Sequence, residues 1–170
     1  MKTIRTAGLI FALVAITLSC EKKDNELHIS AFEDQLHKAV NAYRDSVGLN
    51  TLAHNFDVLS REAKGHAEGR ANGNISESQV IADMEQRWIR VYDKWGIDNV
   101  SNHQNLRGTI TGEITSLNVV EVARQMVMVW ASDSIGKAIL EGDYTVHGPG
   151  EAKASDGTTY VMHMMCKFSQ

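Results

Sequence analysis

Apolar residues recur at spacings of three and four along the chain, and this period predicts a series of amphipathic helices. The first predicted helix ends at Gly48, a favourable residue for a helix C-terminus, and the second begins near Phe56. Their predicted inward faces carry Phe32, Leu36, Ala39, Val40, Tyr43 and Val47, and then Leu59, Ala63, His66, Ala67 and Ala71. The small alanines of the second helix predict a close approach to another element.

Two further helices are indicated by their N-terminal capping patterns. Both Ser76 with Gln79 and Asn118 with Glu121 have the spacing of a capping box, in which side chains bond the free backbone N–H groups of the first turn. The predicted inward positions are Val80, Met84, Trp88 and Val91 in the third helix, and Val119, Val122, Met126, Val129 and Trp130 in the fourth. A short helical turn ending at Leu140 is expected to follow.

The C-terminal third changes from a helical period to short β-like runs, at residues 144–146, 151–153 and 158–167. The turn signal Ser155-Asp156-Gly157 separates the last two runs and predicts a terminal hairpin. Helices followed by a hairpin favour an α+β fold. We therefore predict an α-β-α sandwich in which helices pack on a small antiparallel sheet.

The stretch before the fourth helix has no clear period. Residues 95–107 are polar and aperiodic, which predicts a long loop. Residues 108–115 alternate weakly and are predicted to be extended. They contain Glu113, a lone acid in a turn ahead of the apolar helix that ends at Trp130, and this is the first place where a functional group is expected.

The first 19 residues have the pattern of a secretory signal. Lys2 and Arg5 precede an apolar run from Ala7 to Leu18, which is too short for a membrane span of ~20 residues. Cys20 follows the small residue Ser19, as in a bacterial lipobox, although Thr17 stands where leucine is usual. A plain signal peptide and an uncleaved anchor are the alternatives to lipidation of Cys20.

These features predict three segments: a lipoprotein signal peptide (1–19), a charged tether (20–29) and one folded domain (30–170). We expect the mature protein to lie outside the cytoplasm in the bacterial cell envelope. Its predicted contact with the membrane is the acylated Cys20.

Charge and cysteine content exclude several classes of protein. Removal of Lys2 and Arg5 takes the formal charge from −4 to −6, so a basic face for nucleic acid is not expected. If Cys20 is acylated, Cys166 is left without an intramolecular disulfide partner. Because Cys166 lies in an apolar run, we expect it to be a buried small hydrophobic residue.

Several histidines are candidate metal ligands. A cluster of Glu113, His147 and His163 would supply three ligands of the kind found in catalytic zinc sites. Histidines that are far apart in strands and turns usually do not meet, so this cluster is the less favoured hypothesis. His66 is interpreted as a core histidine bonded to a backbone carbonyl, and His28 and His37 as solvated.

Five motifs occur in an order that resembles the CAP superfamily, the sperm-coating-protein-like domains related to cysteine-rich secretory, antigen 5 and pathogenesis-related proteins. The residues that carry the resemblance are Val40-Asn41-Ala42-Tyr43-Arg44 with Gly48-Leu49 and Leu52; Ala63 to Ala67; Gly112-Glu113-Ile114; Trp130, Ser132 and Ile139-Leu140; and Asp156-Gly157 through Tyr160 to Phe168. The resemblance covers about Ala39 to Phe168 and implies the same α+β sandwich.

The resemblance also implies a groove in which two histidines and acidic partners can hold a divalent metal. Ile135 stands where one of these histidines belongs, and the other is expected near Glu77 or Ser78. Of this set only Glu113 is clearly kept, so we expect no metal and no other cofactor.

We therefore predict a binding or scaffold module rather than an enzyme, with an apolar molecule, a peptide or a protein as ligand. The groove candidates are Glu113, His147, His163 and Ile135. The alternative is a metal-dependent hydrolase, with zinc or another divalent ion at a rearranged Glu/His site. No Gly-x-Ser-x-Gly or His-Glu-x-x-His motif supports other hydrolytic chemistry.

Overall fold

The computed structural model describes residues 28–169. The order of elements is α1 (Ala31–Ser46), β1 (Ala53–His54), α2 (Arg61–Ala71), α3 (Val80–Trp95), β2 (Val100–Ile110), α4 (Val119–Ser132), α5 (Ser134–Leu140), β3 (Val146–Lys153) and β4 (Thr159–Phe168). A turn of π-helix, Phe56–Ser60, leads into α2. The predicted signal peptide and all but the last two residues of the predicted tether lie outside the described residues. Within the described part, no helix combines the length and the hydropathy needed to cross a bilayer.

The four strands form one sheet in the order β1–β3–β4–β2. β4 pairs antiparallel with both β3 and β2, and the turn at residues 155–157 joins β3 to β4 as predicted. Gly157 in that turn has φ +88°, a backbone conformation that glycine adopts without strain. The two-residue strand β1 pairs parallel with β3, so the sheet is mixed and not purely antiparallel as predicted.

Helices cover both faces of this sheet, which confirms the predicted α+β sandwich. One core lies between the sheet and α1, α4 and α5, and it includes Leu36, Val127, Trp130, Val161 and Met165. The other lies between the sheet and α2 and α3, and it includes Leu59, Trp88, Met162, Met164 and Cys166. Successive side chains of β4 alternate between the two cores because side chains of a strand alternate between its faces.

Helix α2 packs directly on the backbone of β3. A Cβ atom placed on Gly150 would lie 2.1 Å from the backbone nitrogen of Lys64, and one on Gly148 would lie 2.3 Å from that of Ser60. Ala63 and Ala67 are completely buried here. The close approach predicted from the alanines is thus confirmed, and it depends equally on glycines in the facing strand.

The predicted loop over residues 95–107 is wrong, since most of this stretch belongs to strand β2. Only Val100 and Leu106 of β2 are buried, because this strand is at the edge of the sheet and most of its side chains face solvent. The sequence therefore lacks the alternation by which a strand is recognised. A β-bulge interrupts the pairing with β4 between Ser101 and Gln104, and Asn102 within it has φ +48°. The extended conformation predicted for residues 108–115 ends at Ile110.

The two predicted capping boxes have different outcomes. Ser76 and Gln79 form one, with the Ser76 N–H donating to Oε1 of Gln79 over 2.9 Å, at the start of the turn that leads into α3. Asn118 does precede α4, but its side chain makes no cap bond and Glu121 binds Arg124 instead. The second capping box is therefore wrong.

One of the five predicted inward positions of α4 is wrong, and two buried positions were not predicted. Val129 is 64% exposed, whereas Ala123 and Val127 are buried together with Met126 and Trp130. A period of 3.6 residues places Val127 and Trp130 on one side of the helix, and Val129 then points away from it.

Candidate functional site: an open cleft and a buried histidine chain

A cleft of about 470 Å³ opens beside Trp130, and we call it the Trp130 cleft. Trp130 and α5 form one wall, while the edge of the sheet and the C-terminal end of α2 form the other. The residues that matter for its chemistry are Arg70, Glu77, Arg107, Trp130, Ile135, Ile139 and Tyr160. One wall is thus largely apolar and the opposite wall carries charges of both signs.

The charged wall is held together by Arg70. Its Nη1 atom lies 2.6 Å from Oε2 of Glu77, and its guanidinium carbon lies 5.2 Å from the centre of the Tyr160 ring. This ion pair with Arg70 is the main reason why the pKa of Glu77 is lowered. Nη1 of Arg107 lies 3.8 Å from the other carboxylate oxygen of Glu77. Glu77 is therefore a charged carboxylate between two guanidinium groups.

His66 also lines this cleft. It is buried, as predicted, but its Nδ1 atom bonds Oδ2 of Asp83 at 2.6 Å and no backbone carbonyl, which corrects the predicted partner. Arg87 donates to the same carboxylate oxygen over 2.7 Å. Burial lowers the pKa of His66 in spite of the opposing effect of Asp83. The Asp83 partner was missed because it lies on another helix, 17 residues away.

The residues at the two family histidine positions do not fit a metal ion. Ile135 is 70% exposed at the rim of the cleft and offers no lone pair, and Glu77 is paired with Arg70. The nearby His66 uses its Nδ1 on Asp83. Across residues 28–169, no three side chains of His, Cys, Asp or Glu are grouped so as to hold a metal ion.

Glu113 lies on the surface and apart from the Trp130 cleft. Its backbone carbonyl accepts a hydrogen bond from Nδ2 of Asn118, and Oδ1 of Asn118 accepts one from the N–H of Thr115. Asn118, rather than the Glu113 carboxylate, thus fixes this loop. The residues after Glu113, beginning with Ile114, line a second cleft of about 420 Å³ together with Ser30 and Lys64. Glu113 and Ile135 therefore lie at different places on the surface.

His147 and His163 do meet, in a buried chain of imidazole rings. Nε2 of His163 lies 2.7 Å from Nδ1 of His147, and Nε2 of His147 lies 2.6 Å from Nδ1 of His37. The ring of His54 stacks on that of His37 with 4.7 Å between their centres, and its Nε2 lies 2.9 Å from Oγ of Ser60. We call His37, His147 and His163 the histidine chain.

The histidine chain excludes the predicted Glu113–His147–His163 cluster. Both nitrogens of His147 are engaged with other imidazoles, and both His147 and His163 are fully buried while Glu113 is exposed. Neither histidine is therefore a metal ligand in this arrangement. The prediction that His37 is solvated is also wrong, because it belongs to the chain.

The register of the terminal hairpin could have revealed part of this chain. His147 is opposite Met165 and Pro149 is opposite His163, so the two histidines are diagonal neighbours on one face of the hairpin. That register follows from the turn at residues 155–157. No comparable local signal identifies His37, which is 110 residues from His147.

Burial disfavours the charged form of all four of these imidazoles. It is the largest cause that lowers the pKa of His54 to about 4 and that of His163 to about 3. It also lowers the pKa of His37, and that of His147 well below the usual histidine value. The neighbouring rings strengthen the effect on His54, His147 and His163, since a charge on one ring disfavours a charge on the next.

Cys166 takes no part in this chemistry. It is fully buried, as predicted, and burial raises the pKa of its thiol to about 12. It also lies in the core on the opposite face of the sheet from His163. A Cys–His dyad is thereby excluded for this pair.

No protein-family model matches the chain. A search of the curated proteins finds no match.

Two solved structures have the same fold. An outer surface protein of Borrelia burgdorferi is similar with a TM-score of 0.59 and 17% sequence identity, over 84% of this chain and 98% of that one. A venom allergen-like protein 4 of Schistosoma mansoni is similar with a TM-score of 0.53 and 12% identity, over 84% of this chain and 92% of the other. The sandwich described above is accordingly a CAP-like fold.

Proposed function

We propose that this domain is a binding or scaffold module of the bacterial cell envelope and that it catalyses no reaction. The observation that carries the proposal is the set of residues that line the Trp130 cleft. The two positions at which the CAP resemblance implies metal-binding histidines are near Glu77 and at Ile135, and both face this cleft. Glu77 is ion-paired with Arg70, and Ile135 is aliphatic, so neither position supplies a metal ligand. The cleft itself is nevertheless formed.

The two walls of the cleft suggest a peptide segment as its ligand. Trp130, Ile135 and Ile139 can pack against an apolar side chain. Arg70, Glu77 and Arg107, on the facing wall, present donors and acceptors for a peptide backbone or a terminal charge. A purely apolar ligand would take water away from these charged groups and offer them no hydrogen bond in return, which disfavours it.

The proposed location rests on the N-terminal pattern and on one similarity. The position of Cys20 after an apolar run is typical of a lipid anchor on an extracytoplasmic domain. The solved Borrelia burgdorferi protein of the same fold is an outer surface protein, which agrees with an extracytoplasmic role. A tether of about ten residues would hold the domain close to the membrane.

The alternative, a metal-dependent hydrolase, has less support. Its three proposed ligands do not come together, since His147 and His163 bond each other and Glu113 is on the surface. His66 is the one imidazole among the described residues that line the Trp130 cleft, its Nδ1 is bonded to Asp83, and no second imidazole or thiolate stands beside it to hold a transition metal firmly.

Ligand binding can be tested with the two indole N–H groups as probes. Trp130 lines the cleft, whereas Trp88 lies on the other face of the sheet and acts as an internal reference. We expect a pool of short peptides with apolar side chains to shift the NMR signal of the Trp130 indole and to leave that of Trp88 in place. Ile135→Asp should abolish the shift, and Ile81→Asp, at a similarly exposed position on α3, should not.

The zinc content of the same purified protein tests whether it is a metal-dependent hydrolase. We expect less than stoichiometric zinc in the purified domain. Stoichiometric zinc that is lost on changing Glu113 and His163 would overturn the proposal in favour of the hydrolase. Equal peptide shifts at Trp130 and Trp88, or shifts that survive Ile135→Asp, would contradict binding in this cleft.

A further inference from the structure

The histidine chain connects the centre of the sheet to the partly exposed side of α1. Each of its two junctions has the length of a hydrogen bond, so each holds one proton between two ring nitrogens. The inner end of the chain is Nδ1 of His163, which is buried and has no hydrogen-bond partner among the described residues. The outer ring, His37, is only partly buried.

These positions determine the tautomer of each ring. A buried N–H without an acceptor is costly, so His163 carries its proton on Nε2 and leaves Nδ1 bare. That proton is donated to Nδ1 of His147, which must then carry its own proton on Nε2. His147 donates in turn to Nδ1 of His37, whose proton is on Nε2 at the outer end. All three neutral rings are therefore Nε2–H tautomers.

An additional proton has no favourable place in this chain. It must occupy Nδ1 of His163, where no acceptor is present, or enter a junction so that two N–H groups oppose each other. His54 offers no better place, because its burial disfavours a charged ring, and any charge on it would also repel one on the His37 ring, whose centre is 4.7 Å away.

The charged groups around the rings do not make an additional proton on the histidine chain favourable. Of the charged groups that act on them from α1, Asp34 favours protonation of His37 and His54, whereas Lys38 opposes it at His37 and Arg44 at His147. From β1, β3 and β4 the titratable groups that act on these rings are the other histidines themselves. The segment before α2 contributes the neutral hydroxyl of Ser60.

We infer that the histidine chain, with His54 stacked on it, is an acid-sensitive latch that fastens α1 to the sheet only while its imidazoles are neutral. The latch is at full strength above the usual histidine pKa of 6.5. It weakens as the pH falls below 6.5 towards the folded-state values of about 4 for His54 and about 3 for His163, because rings released from the fold bind protons in this range. This inference is independent of the proposed ligand binding.

Amide hydrogen exchange at pH 7.5 and pH 5.0, corrected for intrinsic rates, tests the latch. We expect the protection of α1 amides around His37 to fall about 30-fold at pH 5.0 for each proton bound on opening. Amides of α4, which packs on the same face of the sheet, should lose much less protection. Equal losses in α1 and α4 would indicate general acid destabilisation and overturn the inference.

Substitutions provide the matched controls. His37→Gln keeps an acceptor for His147 but cannot take up a proton, so it should remove most of the pH dependence in α1. His28→Gln, at an exposed position, should leave the pH dependence unchanged. Nitrogen-15 NMR should show Nε2–H tautomers for all three rings at pH 7.5. A proton on Nδ1 of His163, an unchanged α1 profile in His37→Gln, or zinc bound by His147 would contradict the latch.

Discussion

Trp88 and Trp130 approach the same edge strand from opposite faces of the sheet, and each donates its indole N–H to that strand. Nε1 of Trp88 lies 2.9 Å from Oδ1 of Asn105, and Nε1 of Trp130 lies 2.8 Å from the carbonyl oxygen of Arg107. Both side chains are almost fully buried, as their helical periods predict. The two tryptophans thus fasten β2 to the α3 layer and to the α4 layer.

We predict that Trp88→Ala and Trp130→Ala each lower the free energy of unfolding by ~3–5 kcal/mol, because each removes a large buried ring. Phenylalanine at either position should cost less, since it restores most of the packing and loses the hydrogen bond. Urea unfolding monitored by circular dichroism measures these differences. Ile81→Ala at an exposed position is the control, and a near-wild-type midpoint for both tryptophan variants would mean that these inward faces are wrong.

The loop before α4 should depend on Asn118 more than on Glu113. Asn118→Ala removes two hydrogen bonds to the loop backbone and should lower the free energy of unfolding by ~1–2 kcal/mol. Glu113→Gln changes an exposed carboxylate and should cost less than ~0.5 kcal/mol. Thermal unfolding of the two variants gives the comparison. A larger effect of Glu113→Gln than of Asn118→Ala would assign the carboxylate a structural role that its exposure does not explain.

Gly150→Ala should be strongly destabilising, by ~1–3 kcal/mol or more, because the added methyl group meets the backbone of α2, which cannot move aside alone. Gly69→Ala is the matched control. Its methyl group meets the side chain of Ile75 and no backbone of another element, and alanine also favours the helix. Equal urea midpoints for the two variants would show that β3 and α2 are not in backbone contact.

We expect the mature protein to begin at an acylated Cys20. Mass spectrometry of the protein purified from membranes of its native host would show an N-terminal peptide carrying acyl chains. Cys20→Ser should release the domain from the membrane fraction. An intact Met1, or a mature chain that starts at another residue, would contradict this prediction.

The helices could be predicted from the sequence because their inward residues recur with a helical period. Only a few positions depart from this period. Strand β2 could not, since an edge strand with mostly solvated side chains has no apolar alternation and reads as a loop. The mixed sheet was missed for a related reason: β1 has two residues, too few for any periodic signal.

The candidate site could be predicted only where the sequence has local markers. Ile135, which the family resemblance implies as a groove residue, lines the Trp130 cleft, whereas Glu113, expected beside the same groove, does not. The histidine chain depends on contacts between α1 and the C-terminal hairpin, and a sequence read locally gives no sign that His37 and His147 are adjacent. The Asp83 partner of His66 was missed in the same way.

The bulge in β2 has a consequence for neighbouring copies of the protein. β2 is at the edge of the sheet, and an unbroken edge strand can pair with the same strand of another molecule. The irregular register between Ser101 and Gln104, with Asn102 in a left-handed conformation, bends this edge and interrupts the regular row of backbone groups that such pairing needs. A lipid anchor would confine molecules to two dimensions and raise their rate of encounter. For molecules held at such a density, the bulge would hinder pairing between β2 strands of neighbouring copies.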